Sequence, residues 1–423
     1  MHQYPQRPRP DDQQSYQEIP PQGHGGQQHQ HQHQQHHQSY EVPSPYPGRP
    51  PYGEPPTAAG YPHDSEPPQP KRSRRRIWIS AVVALALLLG GGFAAWKLDW
   101  FSGNGEAVTF GKNPPASPAA GTSDAGTPSA EAKPSGDPDV LMPTGPKSDF
   151  KQTAKLDDGT IIAKTRLTGA KSGFEGDVWV WAPKQYDDPK YAKSGFPVLI
   201  ALPGGNGFPN NYWADTSLGL QKAITEGVKA GTSLPYIVIM PVLNPDAKYY
   251  YDGSDIPGQA KMGTWIAEDV PAFAKANFRT YKSRDGWAFM GSSSGAFVGM
   301  KTVLQHPDKF KAVIASGGEI VPDSPLWKGH QAEMDANNPE KLAQKLIDTK
   351  GPEVYINFQV GTKESGKDRM VKFQQSYGKG PVKMTIRDIQ NGEHNGWHYV
   401  RGMKEGSLEW VSKVLKAPKP EGS

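Results

Sequence analysis

The sequence predicts an α/β domain, a mostly parallel central sheet flanked by helices, over residues 148–418, behind a polar tail, a membrane span and a linker. Three observations lead there. Composition shifts near Ser148, where Trp, Ile, Val and Phe first fall into patterned runs. Short apolar runs bounded by Pro or Gly then alternate with segments of helical period, the pattern of buried strands joined by helices. Before the shift, residues 77–96 form a stretch without a single charge, and nothing adjacent could cover it as a buried helix.

The 423 residues do not read as one globule. Hydrophobic residues make up only 35%, and there are 47 Gly and 42 Pro, figures that average over very different regions. Residues 1–76 are rich in Gln, His and Pro with no apolar period, so they cannot offset their backbone entropy by burial and are expected to be disordered. The His-rich tract at 23–37 (GHGGQQHQHQHQQHH) reads as a solvated low-complexity segment without fixed ligand geometry, although its imidazoles are of a type that binds transition metals. No metal or other cofactor is expected.

Residues 77–96 (IWISAVVALALLLGGGFAAW) match a helix that crosses a bilayer of about 30 Å at about 1.5 Å per residue. Trp78, Trp96 and Trp100 fall near its ends, where indoles favour the interface. The long leader sets it apart from a cleaved signal peptide and makes it a signal anchor. Lys71, Arg72, Arg74, Arg75 and Arg76 precede it, whereas Lys97 and Asp99 after it cancel. That asymmetry places the N-terminus in the cytoplasm and the rest outside, a single-pass cell-membrane protein. Residues 97–147, rich in Gly, Pro, Ala and Ser, read as a linker. Residues 419–423 read as a disordered tail.

Within the domain, GDVWVWAP (176–183) alternates like a half-exposed strand, while PVLIALP (197–203), YIVIMP (236–241) and EVYINFQV (353–360) read as buried ones. Helical patterns run through 265–278, with Pro271 near a first turn or kink, from Ser294 onward as an amphipathic helix, and near the C-terminus. The sheet is expected to be entered through an antiparallel pair on its N-terminal side. The formal charge of +4 gives no case for nucleic-acid binding, and the absence of Cys excludes a thiol nucleophile and disulfides.

Gly291-Ser292-Ser293-Ser294-Gly295 fits G-x-S-x-G. The pentapeptide alone is common, but WAFM (287–290) precedes it as a strand and AFVGMKTVLQH follows as a helix. A serine on such a strained turn needs small residues two positions before and after, and the helix N-terminus aims free N–H groups at developing negative charge. Ser293 is the nucleophile in this register, and the N–H of Ser294 is an oxyanion donor.

Of the 12 histidines, eight lie in the tail. His306 ends the helix after the elbow, and His330 lies in an irregular polar stretch. His394, in the loop after VKMTIRDIQ, is the expected base, with His398 the fallback. Serine, acid and histidine in that chain order match the α/β-hydrolase arrangement. Glu364, after the strand ending in VGTKE, is the expected acid, with Asp368 its rival; Asp388 lies inside a strand pattern. The Gly-rich loop LIALPGGNG (199–207) supplies the second oxyanion donor, Gly205 before Gly204. The aromatic loop KYYYDGSDIPG (248–258) and Trp397 are candidates for the acyl or alcohol wall.

Taken in order, PVLIALPGGNG, IVIMP, DVPAFAKANFRT, WAFMGSSSGAFVGMKTVLQHPDKFKAVIASGG, VGTKE and GEHNGWHYV resemble the esterase-D-like branch of the α/β-hydrolases, which includes S-formylglutathione hydrolases, feruloyl esterases and mycolyltransferases. The resemblance implies Ser293, Glu364 and His394 as the triad and Ser294 and Gly205 as oxyanion donors. Two departures stand out: Pro203-Gly204-Gly205 replaces the usual His-Gly-Gly, and Ser293-Ser294-Gly295-Ala296 the usual Ser-Met-Gly-Gly. The expected activity is that of an extracellular carboxylic-ester hydrolase acting on an ester or thioester, with a cell-envelope component as a candidate partner. An acyltransferase of the mycolyltransferase type and a non-catalytic envelope-binding module are the alternatives.

Overall fold

The computed structural model describes residues 105–111 and 137–422. The tail expected over 1–76, with its His-rich tract, and the span expected over 77–96 lie outside the described residues. Among those described, no helix is long and apolar enough to cross a membrane.

Twelve strands are described. β1 (Ala107–Val108), β3 (Phe150–Lys155), β4 (Ile161–Thr168), β5 (Glu175–Trp181), β6 (Val198–Leu202), β7 (Ile237–Pro241), β9 (Trp287–Ser292), β10 (Ala312–Ser316), β11 (Val354–Gly361) and β12 (Val382–Ile389) form one sheet in the order β1-β3-β4-β5-β7-β6-β9-β10-β11-β12. β2 (Val140–Leu141) and β8 (Thr280–Tyr281) pair separately. From β7 to β12 every neighbour in the large sheet is parallel. β6, β7, β9 and β10 are wholly buried, the outcome for apolar runs covered by helices on both faces.

The antiparallel side is larger than the expected pair: β1, β3, β4, β5 and β7 are joined antiparallel in succession. β3 (FKQTAK) and β4 (IIAKTRLT) carry Lys, Arg and Thr on their open face, which breaks up their apolar signal. Those charges pair across the ladder, Lys164 and Arg166 both reaching Asp177, at 3.3 and 3.0 Å.

The linker expected over 97–147 is in part built into this domain. β1 pairs with β3 through Ala107 and Val108, and the Phe110 ring packs edge-on to Phe150 and Phe278 at 5.2 and 5.3 Å. Asp137 and Asp139 hold Lys416 between them at 2.8 and 2.9 Å. Gly and Pro dominate the average of this stretch, so a few anchoring side chains leave no composition signal. The expected C-terminal tail is likewise tied down, since the Glu421 N–H donates to the Lys190 carbonyl at 2.7 Å.

The helix expected over 265–278 contains a π turn, Trp265–Asp269, before the α-helix Val270–Asn277. Pro271 has no N–H to return to the preceding turn, and the wider turn accommodates that loss. The helix after the elbow, Ser294–Gln305, is not amphipathic in place: every residue from Gly295 to Leu304 is buried, Lys301 included. Residues 252–254 and the helix Pro339–Asp348 cover the face that its sequence left for solvent.

Candidate active site

The loops leaving the carboxyl ends of β6, β9, β11 and β12 converge, so four segments far apart in the chain meet at one sheet edge, the usual place for a ligand in an α/β sheet. Ser293 sits between β9 and the elbow helix with φ 53 and ψ −121, a conformation that costs a non-glycine residue energy and persists only where the surroundings enforce it. Its N–H donates to the Ser316 carbonyl at 2.8 Å, tying the turn to β10. A Cβ on Gly291 would strike the Gly295 backbone, and one on Gly295 would strike the Leu202 and Pro203 backbones. Both ends of the pentapeptide must therefore lack side chains.

The loop after β6 lies against this turn. The Ser294 hydroxyl donates to the Gly205 carbonyl at 2.6 Å. The Gly204 N–H donates to the Tyr212 hydroxyl at 2.9 Å, and that hydroxyl also contacts the Ser292 hydroxyl. Gly204 is thus engaged, whereas the N–H groups of Gly205 and of Ser294, the first residue of its helix, have no acceptor among the described residues. Tyr212 is held in turn by its neighbours: Asn211 donates to the Ala201 and Pro241 carbonyls, both at 2.8 Å, and Trp213 to the Leu202 carbonyl at 2.8 Å.

On the far side, Glu364 and His394 meet, with His394 Nδ1 2.9 Å from Glu364 Oε2. The Glu364 side chain is 2% exposed and that of His394 53%. Glu364 Oε1 accepts the Gly361 N–H at 2.6 Å, and Oε2 accepts the Tyr399 hydroxyl at 2.8 Å. Burial pushes the Glu364 carboxyl up, but the donors His394, Gly361 and Tyr399 together outweigh it and leave the group below the usual carboxylate range. The hydrogen bond to Glu364 raises the His394 imidazole above its ordinary value.

The other candidates fall elsewhere. Asp368 is exposed in the first turn of the helix Lys367–Tyr377, and Asp388 pairs with Lys367 at 2.6 Å. His398 Nδ1 accepts the Glu393 N–H at 2.8 Å, which buttresses the loop that carries His394. His306 caps the far end of the elbow helix. His330 precedes the helix Gln331–Ala336.

Ser293 and His394 line one cavity of about 560 Å³, together with Gly204, Gly205, Tyr212, Asp215, Leu218 and the run 395–397. No hydrogen bond joins Ser293 to His394 in this state; such contacts commonly tighten only with substrate present. Trp397 stands on the rim, 62% exposed. The aromatic loop 248–258 does not line the cavity. The chain just before it braces the loop after β6: Asn206 donates to the Ala247 carbonyl at 2.7 Å and Asn244 to the Asn206 carbonyl at 2.5 Å, while the Tyr251 N–H of the aromatic loop donates to Asn244 Oδ1 at 2.9 Å. Among the described residues no three His, Asp or Glu side chains converge as a metal ion would require.

Tyr212, Tyr399 and Gly317 are not singled out by the sequence: Tyr399 and Gly317 fall within GEHNGWHYV and the run ending ASGG, but neither residue type there points to a role at this site.

The family model described as "Putative esterase" matches residues 173–405. An uncharacterized protein of Corynebacterium glutamicum is 22% identical over 292 residues, 64% of this chain and 64% of that relative. An esterase of Mycobacterium tuberculosis is 27% identical over 179 residues, 36% of this chain and 37% of that protein. The chain therefore spans less than two thirds of the length of either relative. Among solved structures, a ferulic acid esterase superposes with a TM-score of 0.51 at 20% identity, over 60% of this chain and 99% of that one. A fluorophosphonate-binding serine hydrolase of Staphylococcus aureus gives 0.50 at 14%, over 60% and 98%. At these identities the likeness to the two structures is one of fold.

Proposed function

The chain belongs to the esterase family whose model spans its residues 173–405, and on that premise we propose that it is a serine hydrolase of carboxylic esters, membrane-anchored and extracellular, working through an acyl-enzyme on Ser293. The observation that supports this most is the pairing of His394 with the buried Glu364 at 2.9 Å, on the wall of a cavity that also holds a strained Ser293.

In this reading the Ser293 hydroxyl attacks the acyl carbonyl while His394 Nε2 takes its proton. Glu364 holds Nδ1–H and stabilises the imidazolium. The N–H groups of Ser294 and Gly205 face the oxyanion of the tetrahedral intermediate. Collapse breaks the ester C–O bond, and His394 returns the proton to the leaving alcohol. Water, deprotonated by His394, then attacks the acyl-enzyme; collapse breaks the acyl C–Oγ bond, His394 returns the proton to Ser293, and the acid leaves. An acceptor alcohol in place of water would make the same site an acyltransferase.

The anchored, extracellular placement rests on the uncharged run 77–96 and the basic cluster before it. A cell-envelope ester is a substrate in keeping with that placement.

The test is hydrolysis of p-nitrophenyl butyrate by the full chain, beside Ser293→Ala and with fluorophosphonate labelling. The expected loss is about 10⁴-fold or more, with no labelling of the variant. Equal rates for the two proteins would leave a non-catalytic binding module as the reading. Product analysis with an added alcohol separates hydrolysis from transfer.

A further inference from the structure

Tyr399 stands inside the Glu364–His394 pair. Its hydroxyl is 2.8 Å from Glu364 Oε2 and 2.8 Å from His394 Nδ1, and those two atoms are 2.9 Å apart. Three polar atoms therefore form a nearly equilateral triangle that two hydrogens must serve. An ionised carboxylate only accepts, so the phenol hydrogen goes to Oε2. The phenol oxygen then turns its lone pairs to His394, whose Nδ1 faces two acceptors and must carry its proton. Nε2 is left with its lone pair toward the cavity. Tyr399 is 1% exposed, so water does not compete for its hydroxyl.

The surroundings are shaped to this triangle. Gly317 has φ 57, and a Cβ there would run into the Tyr399 hydroxyl and come within 2.6 Å of Glu364 Oε2 and 3.0 Å of His394 Nδ1. The Tyr399 backbone is fixed from below, since its carbonyl accepts from Gln359 Nε2 at 3.0 Å. The same nitrogen donates to the Ser316 hydroxyl at 2.7 Å, and Ser316 is the residue whose carbonyl holds the Ser293 N–H. The base and the nucleophile turn thus share one buried support.

We propose that Tyr399 is a positioning residue that donates its hydroxyl to Glu364, fixes the imidazole tautomer of His394, and draws part of the carboxylate charge away from the imidazole. The proposal rests on His394 being the base. Other charges near the triangle are few. Glu319, paired with Arg369, acts on His394 from the loop after β10, Tyr212 faces Tyr399 across the cavity, and His398 is engaged with the Glu393 N–H.

Tyr399→Phe keeps the ring and removes only the hydroxyl. With one donor fewer, Oε2 bonds His394 alone and holds a proton on the imidazole more firmly. In the full chain labelled with ¹⁵N-histidine, with His394→Gln assigning the signal, the His394 titration midpoint is expected to rise by about half a unit to one unit. The Nδ1 proton resonance is expected to move downfield. On p-nitrophenyl butyrate, the acid limb of kcat/KM should rise in parallel, and plateau kcat should fall about tenfold with KM unchanged. A midpoint that stays in place or falls, in a variant with native melting behaviour, overturns the proposal. The titration requires no turnover, so it reads Tyr399 even if the chain proves not to cleave esters.

Discussion

His394 and Glu364 differ sharply in exposure, and that difference sets how the pair responds to pH. The carboxylate lies behind the imidazole, so it acts on solvent only through His394. Because the Glu364 hydrogen bond raises the imidazole above its ordinary value, the neutral form that the proposed mechanism needs to accept a proton from Ser293 becomes scarce at a higher pH than usual. The acid limb of kcat/KM is therefore expected above 6.5, the unperturbed value. Glu364→Gln should bring that limb back down and cost roughly 10²–10⁴ in kcat, while Asp368→Asn, exposed one helix turn away, should leave both unchanged. A pH–rate series on the three proteins checks this. Trp397 is expected to act on binding alone: an exposed indole at the rim would add contact area to a large substrate and none to a small one. Trp397→Ala should raise KM for long-chain or bulky aryl esters by about tenfold and leave p-nitrophenyl acetate unaffected.

At the scale of elements, the elbow helix carries an ionisable group that the chemistry does not use. Lys301 donates to the Gly253 carbonyl, to the Ser254 hydroxyl at 2.7 Å and to Asn337 Oδ1 at 3.3 Å, which pins the 252–254 loop and the chain after Gln331–Ala336 to the helix. Burial lowers its ammonium to about 8, from 10.5 in an open chain. Between those values the unfolded chain binds a proton that the folded one does not, so folding stability should rise with pH across that window, by on the order of 1–3 kcal/mol. Thermal melts from pH 8 to 10 should show the rise in the native chain, and Lys301→Met should lack it. Its unpaired acceptors should also lower that variant's melting temperature at neutral pH.

For the molecule as a whole, the domain starts well before the composition change. A chain cut at residue 148 loses β1, β2, Phe110 and the Asp137–Lys416–Asp139 cluster, whereas one cut at 105 keeps them. The shorter form should melt lower by an amount corresponding to about 2–4 kcal/mol, the scale for losing a packed aromatic and an edge strand. The form starting at 105 should match the full chain in kcat/KM and remain in the supernatant. If residues 77–96 are a span, the full chain should sediment with membranes and resist carbonate extraction; finding it in the supernatant would remove the anchor.

Sequence alone singled out the positions proposed to carry the chemistry, because they depend on local rules. An apolar strand, a Gly-x-Ser-x-Gly turn and a helix identify Ser293 without reference to anything distant, and chain order then narrows the acid and base. Runs apolar on both faces likewise announce β6, β7, β9 and β11. Tertiary structure decided what depends on neighbours remote in the chain. Glu364 rather than Asp368 meets His394 because only one of them faces Tyr399 and Gly317. Gly204 is engaged by Tyr212, leaving Gly205 open. The aromatic loop lies off the cavity, its Tyr251 holding the Asn244 that braces the loop after β6, and Lys301 is buried by segments that helical period cannot foresee. The physical reason is the same throughout: strand and turn propensities act over a few residues, whereas burial and hydrogen-bond partners are set by whichever segments the sheet order brings together.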